Sequence, residues 1–198
     1  AGIEPCEVIV VDDASTDRTA AVARAAGATV VASGKRSIGA TRNIGARAAR
    51  YPLILFCDAD TVVSAANLRE MRAAFAAGAI GGGAPMRWDR PVPLSGRLPV
   101  ACWNVFSRLT RSPAGAFFFV TRTAFEQVGG FDERYLVSEE LWLGRALRRL
   151  GRLAILRSPL VTSARKVEKY STWELFRQFT RIALRPWRAP HDRRALDL

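Results

Sequence analysis

The sequence predicts an α/β domain in which a mostly parallel central sheet carries helices on both faces. Two stretches predict it. Residues 7–11 (E-V-I-V-V) form a β-branched run that enters Asp12-Asp13, a helical pattern follows, and residues 29–32 make a second strand, which is a βαβ opening. Residues 53–57 (L-I-L-F-C) repeat the plan, as a buried strand that ends abruptly in Asp58-Ala59-Asp60. In open sheets of this kind ligands bind in the crevice beyond the carboxyl ends of the strands. Both acidic strand ends are therefore candidate functional positions.

Taken in order, the strand over 7–11 is followed by Ser15 or Thr16 as the cap of a helix whose small and apolar face holds Ala20, Val22, Ala23 and Ala26. Gly27 ends that helix. After the strand over 29–32, a loop with Gly34, Lys35 and Arg36 leads into a helix over about 37–50, with Ile38, Ile44 and Ala48 expected inward. The strand over 53–57 comes next. Residues 65–77 are helical, with Leu68, Met71 and Phe75 on one side and Gly78 as the stop. Residues 79–88 contain Gly81-Gly82-Gly83 and predict a strand that bends or lets another backbone come close.

Three prolines make residues 89–99 an irregular connection, and a helix is expected over 97–111 with Val100, Trp103 or Asn104, and Ser107 along one side. A strand over 116–120, a short helix over 122–128 and a tight loop over 129–133 follow. Ser138 is placed to cap a helix that opens with Glu139-Glu140 and runs to Leu150 before Gly151. Residues 152–156 and 160–163 read as strands. Ser171-Thr172-Trp173-Glu174 matches a capping box and opens a last helix to about Leu184. Its apolar side holds Trp173, Phe176, Phe179, Ile182 and Ala183, with Arg177, Arg181 and Arg185 on another face. Such a helix packs on the domain or lies on an anionic membrane surface. The expected organisation is one domain over 1–165 and a basic amphipathic helix and tail over 166–198.

A chain of 198 residues buries a substantial core, and no segment approaches the ~20 uninterrupted apolar residues of a membrane-spanning helix. The absence of a basic, apolar leader and three cysteines (Cys6, Cys57, Cys102) without C-x-x-C spacing predict a reduced, cytosolic setting. The single histidine, His191, argues against a Ser-His-Asp triad or a histidine-based zinc site. The net charge of +12 is concentrated after residue 144. A basic tail of this kind attracts nucleic acid, an anionic membrane or a phosphorylated substrate. No zinc-finger or RNA-binding signature is present, so no nucleic acid is expected.

Asp58 and Asp60 suit a divalent metal held against a phosphorylated ligand, because Mg²⁺ and Mn²⁺ prefer oxygen ligands and leave places for phosphate. Read alone, either acid also serves as a turn or cap residue. Asp12 and Asp13 have the same two readings, although two adjacent acids exceed what one cap requires. Lys35, Arg36 and Arg42 suit either a diphosphate or a solvated surface. Glu139 and Glu140 suit either proton chemistry or the positive end of a helix, and that position predicts a lowered pKa for Glu140.

Together, V-I-V-V-D-D-A-S-T-D-R-T (8–19), G-A-T-R-N-I-G-A-R-A-A (39–49), D-A-D (58–60) and G-G-F-D-E-R-Y-L-V-S-E-E-L-W-L-G-R-A-L (129–147) resemble the family 2 glycosyltransferases of the GT-A fold, in that family's order. The resemblance implies a Rossmann-like three-layer domain that uses a nucleotide-diphosphate sugar as donor. It places Asp12 and Asp13 on the nucleoside, and Lys35, Arg36 and Arg42 around the nucleotide. Asp58 and Asp60 become the metal and nucleotide-sugar motif, with Asp60 the direct ligand of Mg²⁺ or Mn²⁺. Glu140 falls where the family usually has the Asp that serves as general base, and Glu139 matches the preceding Glu. The implied reaction is inverting, with a lipid, saccharide or small molecule as acceptor. The family's pattern starts with a further strand and helix before Glu7, so the chain is expected to be an N-terminally incomplete domain. A nucleotidyltransferase of related fold and a non-catalytic basic binding protein are the competing readings, and the segment over 129–147 argues against the first.

Overall fold

The computed structural model of the protein describes residues 6–135 and 139–164. The expected helix over 171–184, Ser138 and the whole 166–198 segment lie outside the described residues.

The strands are β1 (Ile9–Asp12), β2 (Thr29–Ala32), β3 (Leu53–Cys57), β4 (Thr61–Val62), β5 (Gly81–Gly83), β6 (Met86–Trp88), β7 (Phe117–Thr121), β8 (Leu153–Ile155) and β9 (Leu160–Thr162). The helices are α1 (Thr19–Ala25), α2 (Ile38–Ala48), α3 (Ala65–Ala76), α4 (Leu94–Thr110), α5 (Arg122–Gln127) and α6 (Glu139–Leu147). The central sheet has the order β3-β7-β5-β8. Its strands β3, β5 and β8 run one way and β7 runs against them, so the predicted mostly parallel character holds with one reversed strand. β1 and β2 pair in parallel as a separate ribbon, and β4-β9-β6 form a small third sheet.

β7 fixes the core. Its residues Phe117, Phe118, Phe119 and Val120 are fully buried, as expected for a strand covered on both faces. Phe118 and Val120 join Ile54 and Phe56 of β3 under α2, α5 and α6, through Ala46, Phe125, Leu143 and Leu147. Phe117 and Phe119 point to the opposite face, against Met71, Ala74 and Phe75 of α3 and Met86 of β6. Each fully buried Phe contributes ~1.5–3 kcal/mol of transfer free energy. Helices on both faces of the sheet make the expected α/β/α layering. β3 itself is half-buried rather than buried throughout, since Leu53 is exposed and Ile54 and Phe56 are not.

The glycine run behaves as its composition predicts. A Cβ on Gly82 would lie 1.9 Å from the carbonyl oxygen of Ala154 and 2.6 Å from the Phe119 ring. Only a strand without side chains fits between β7 and β8 there, and the run ends where Ala84 and Pro85 separate β5 from β6.

Four expectations are corrected. Neither Ser15 nor Thr16 caps α1; the helix starts at Thr19, whose backbone N–H donates to Asp17. Val22 faces solvent, because the short helix packs on a two-stranded ribbon through Ala20 and Ala23 alone. In α2 the inward residues are Gly39, Ala40, Asn43 and Ala46, while Ile38 and Ala48 are exposed. On this small face Gly39 lies beside Phe131, where an added Cβ would make an ordinary van der Waals contact at 3.5 Å, and buried Asn43 is bonded to the Phe131 backbone. The fourth is α4, which begins at Leu94 and contains Pro99, so most of the irregular connection is helical. Asn104 anchors it by bonding both the N–H and the C=O of Met86.

Candidate active site

Asp58 and Asp60 follow β3 at its carboxyl end, where the Asp58 backbone N–H donates to Ala116. The Asp58 carboxylate is paired at 3.0 Å with Arg42 of α2. Arg42 also donates at 2.7 Å to Glu139, and at 3.0 Å to the carbonyl of Gly115. Its guanidinium lies 5.4 Å from the centre of the Phe131 ring, so a cation–π contact supports it from below. One buried cation thus joins the strand-end acids to the first turn of α6.

The same helix reaches the other acidic strand end. Thr41, next to Arg42, shares a 3.2 Å hydroxyl contact with Ser33. Asp13 accepts from the backbone N–H of Arg36 at 2.9 Å, which folds the loop over 33–36 against the end of β1. Arg36 adopts φ +49°, a left-handed conformation that this closure imposes. Burial alone would raise the Asp13 pKa, but bonds from the Arg36 N–H, Ser33, Thr41 and the Lys35 N–H together lower it. Asp12 accepts from the Ser15 N–H at 3.1 Å and so shapes its own turn. Lys35 is held through its backbone N–H, which donates to Ser33 Oγ.

Glu139 is buried and ion-paired, and Glu140 beside it is partly covered. Burial pushes the Glu139 carboxyl above its ordinary value, with Arg42 pulling against it. Burial and the neighbouring Glu139 charge push Glu140 up to about 7. Its own backbone N–H in the first turn does lower it, in the direction the sequence position predicts, but is outweighed. A carboxyl at that value exchanges a proton near neutral pH.

A divalent cation fits the residues present to a limited extent. Asp60 makes no hydrogen bond or ion pair among the described residues, and the Asp58 side chain is 44% exposed. No cluster of three or more His, Cys, Asp or Glu side chains suited to a metal occurs among them. Two carboxylates at a strand end match the Mg²⁺ pattern in which substrate phosphates complete the shell.

Sequence reasoning placed Arg42 on the nucleotide; the structure places its guanidinium between two carboxylates. It also missed Asn43, which is buried and bonds both the N–H and the C=O of Phe131 and the Glu133 carboxylate. Asn43 holds the loop that carries Phe131 under Arg42. Gly130 is required beside it, with φ +77° and a Cβ that would meet Asn43 Oδ1 at 2.8 Å. A polar amide on the small face of α2 was the available signal.

Residues 2–126 match a family model described as Glycosyl transferase family 2. The chain belongs to that family. A search of curated proteins gives no match. Among solved structures, the mannosyltransferase PcManGT from Pyrobaculum calidifontis, in complex with GDP-Man and Mn²⁺, shares 22% identity at a TM-score of 0.65. That alignment covers 86% of this chain and 51% of that one. Residues 1–349 of S. aureus TarS align at 20% identity and TM-score 0.62, over 80% and 51% of the two chains. Glucosyl-3-phosphoglycerate synthase from Mycobacterium tuberculosis, in complex with Mn²⁺, UDP and glucosyl-3-phosphoglycerate, aligns at 20% and 0.54, over 75% and 57%. The chain therefore spans about half the length of these proteins. At these identities the likeness establishes the fold, which is the expected GT-A type.

Proposed function

We propose that this member of glycosyl transferase family 2 moves a sugar from a nucleotide-diphosphate sugar to an acceptor hydroxyl, with inversion at the sugar carbon. The observation that carries the reading is the Arg42 bridge, which gathers the strand-end acid Asp58 and the proton-exchanging pair Glu139-Glu140 around one place. Asp12 and Asp13 are assigned to the nucleoside, Asp13 as acceptor for the base N–H. Lys35 and Arg36, in the loop bound to Asp13, are assigned to the diphosphate. Arg42 holds the carboxylates in register, which is how it serves the nucleotide side.

Asp60 and Asp58 would hold Mg²⁺ or Mn²⁺, which offsets charge developing on the departing diphosphate. The Mn²⁺ and nucleotide complexes of two of the structural neighbours support that assignment. Glu140 takes the acceptor proton as the hydroxyl attacks, and a base placed opposite the leaving diphosphate gives in-line displacement and inversion. Glu139, ion-paired with Arg42, contributes through its charge to the raised pKa of Glu140. All three cysteines are free and exposed, which supports a reduced, cytosolic setting. The 1–165 and 166–198 division is retained as part of this reading.

Thermal stabilisation by UDP- and GDP-sugars, with and without Mn²⁺, tests the assignment. Asp60→Ala is expected to abolish the Mn²⁺-dependent part. Glu140→Gln is expected to keep donor stabilisation and lose ~10²–10⁴ of transfer rate. Equal Mn²⁺-dependent stabilisation of Asp60→Ala and the parent by every donor would sink the reading.

A further inference from the structure

Helix α4 carries an apolar stripe that the described residues leave uncovered. Gly96, Asn104 and Ser107 face inward, toward β6 and the loop after the helix. On the outer side, Leu94 is 74% exposed, Leu98 58%, Val105 59%, Phe106 45% and Leu109 80%. Their spacing places them along one face for the length of the 17-residue helix. A single exposed Leu is ordinary, but a continuous row of five large apolar side chains marks an interaction surface.

Charge identifies the partner. Residues 90–125 contain no Asp or Glu, and within the helix Arg97 and Arg108, about three turns apart, border the stripe. Arg111 follows directly as its C-cap. An apolar face edged by arginines, with no acid on it, is the pattern of a helix that lies in the plane of a membrane interface. Charge argues against the chain's own segment beyond residue 164 as its cover. Residues 145–198 hold far more Lys and Arg than Asp and Glu, so the two surfaces carry like charge.

We propose that α4 docks the protein on an anionic membrane surface, with the Leu94, Leu98, Val105, Phe106 and Leu109 side chains entering the interface and Arg97, Arg108 and Arg111 meeting lipid phosphates. No helix of the described residues is long and apolar enough to cross a membrane, so this attachment is peripheral. Shortly after α4 the chain reaches Gly115, whose carbonyl accepts from Arg42. The docking does not rest on the transferase reading.

Sedimentation of the 198-residue chain with vesicles tests the docking without any donor sugar. With equal parts phosphatidylcholine and phosphatidylglycerol, the parent is expected to sediment, and to do so less as salt rises. Pure phosphatidylcholine should bind it several-fold more weakly. The triple substitution Leu98→Ser, Val105→Ser, Leu109→Ser is expected to weaken binding by about tenfold or more, with an unchanged melting temperature because all three side chains are exposed. Arg97→Gln with Arg108→Gln should weaken the salt-sensitive part and leave the apolar part. Three results would overturn the proposal. The parent fails to bind anionic vesicles; or the triple variant binds as well as the parent, which places attachment in the basic segment over 145–198; or the parent is a dimer that the triple substitution dissociates, which makes a second copy the occupant.

Discussion

Two pairs of adjacent acids stand at the ends of this site, and their surroundings differ in kind. Asp12 ends β1 and Asp13 follows it on the narrow β1-β2 ribbon; they accept from backbone N–H groups of Ser15 and Arg36, and include one carboxyl whose pKa is lowered. Glu139 and Glu140 open α6 over the main core, depend on one side-chain cation, and have raised pKa values. A carboxylate held by main-chain donors stays charged and is fitted to accept hydrogen bonds from a ligand. One buried beside another carboxylate is fitted to exchange a proton. The proposed binding and proton roles thus fall to an exposed region and a packed one, and α2 spans both through Thr41 and Arg42.

The largest effect is expected from Arg42→Ala, which leaves Glu139 buried without its partner. A loss of ~3–5 kcal/mol of stability is expected at pH 8, read by denaturant unfolding. The loss should shrink as pH falls, because Glu139, whose pKa is raised, protonates and no longer needs a cation. A pH-independent loss would mean that packing on Phe131, rather than charge, is what Arg42 supplies.

Glu140→Gln comes next and acts in the opposite direction. The folded pKa of about 7 lies above the ordinary 4.5, so the parent binds more protons folded than unfolded between those values. Its stability therefore falls as pH rises from about 4.5 through 7. Glutamine cannot ionise, so the variant should lose that slope and gain on the order of 2 kcal/mol relative to the parent between pH 5 and pH 8. Melting temperatures across that range measure it, and parallel curves would place the proton elsewhere. Asp13→Asn is expected to cost about 1 kcal/mol at pH 7. Because the folded pKa of Asp13 is lowered, its contribution is present above pH 3.8 and lost as pH falls further. Parent and variant should converge in acid, which is the reverse of the Glu140 result.

Legibility in the sequence follows the same division. Strands β2 and β3 were readable to the residue, because β-branched or apolar runs ended by Ser-Gly or by acids leave little choice. The acids at strand ends were equally visible as residues. What joins them was not: the partners of Arg42 lie 16 and 97 positions away, and only folding brings them together. The face of α2 was misread because Asn43, bonded to Phe131 from 88 positions away, lies inward with Gly39 and Ala46 and leaves Ile38 outside. β4 has two residues and pairs with a strand near the end of the described chain, too short for any periodic signal. Pro99 hid the start of α4, since a proline inside a helix removes one donor while the anchor at Asn104 supplies compensation that no local pattern displays.

The smallest effect belongs to Val22, and it tests how separate the two regions are. Val22 has the spacing of a core residue in α1 and yet is 61% exposed, whereas Phe118 of β7 is fully buried. If the β1-α1-β2 ribbon stands beside the core as the described residues place it, Val22→Ser should change stability by no more than ~0.5 kcal/mol. Phe118→Ala should cost ~3–5 kcal/mol in the same unfolding experiment. A Val22→Ser cost well above ~1 kcal/mol would show that α1 packs on a surface outside the described residues. The binding half would then draw its rigidity from packing, as the acid half does, and the main-chain bonds to Asp12 and Asp13 would be its consequence and not its cause.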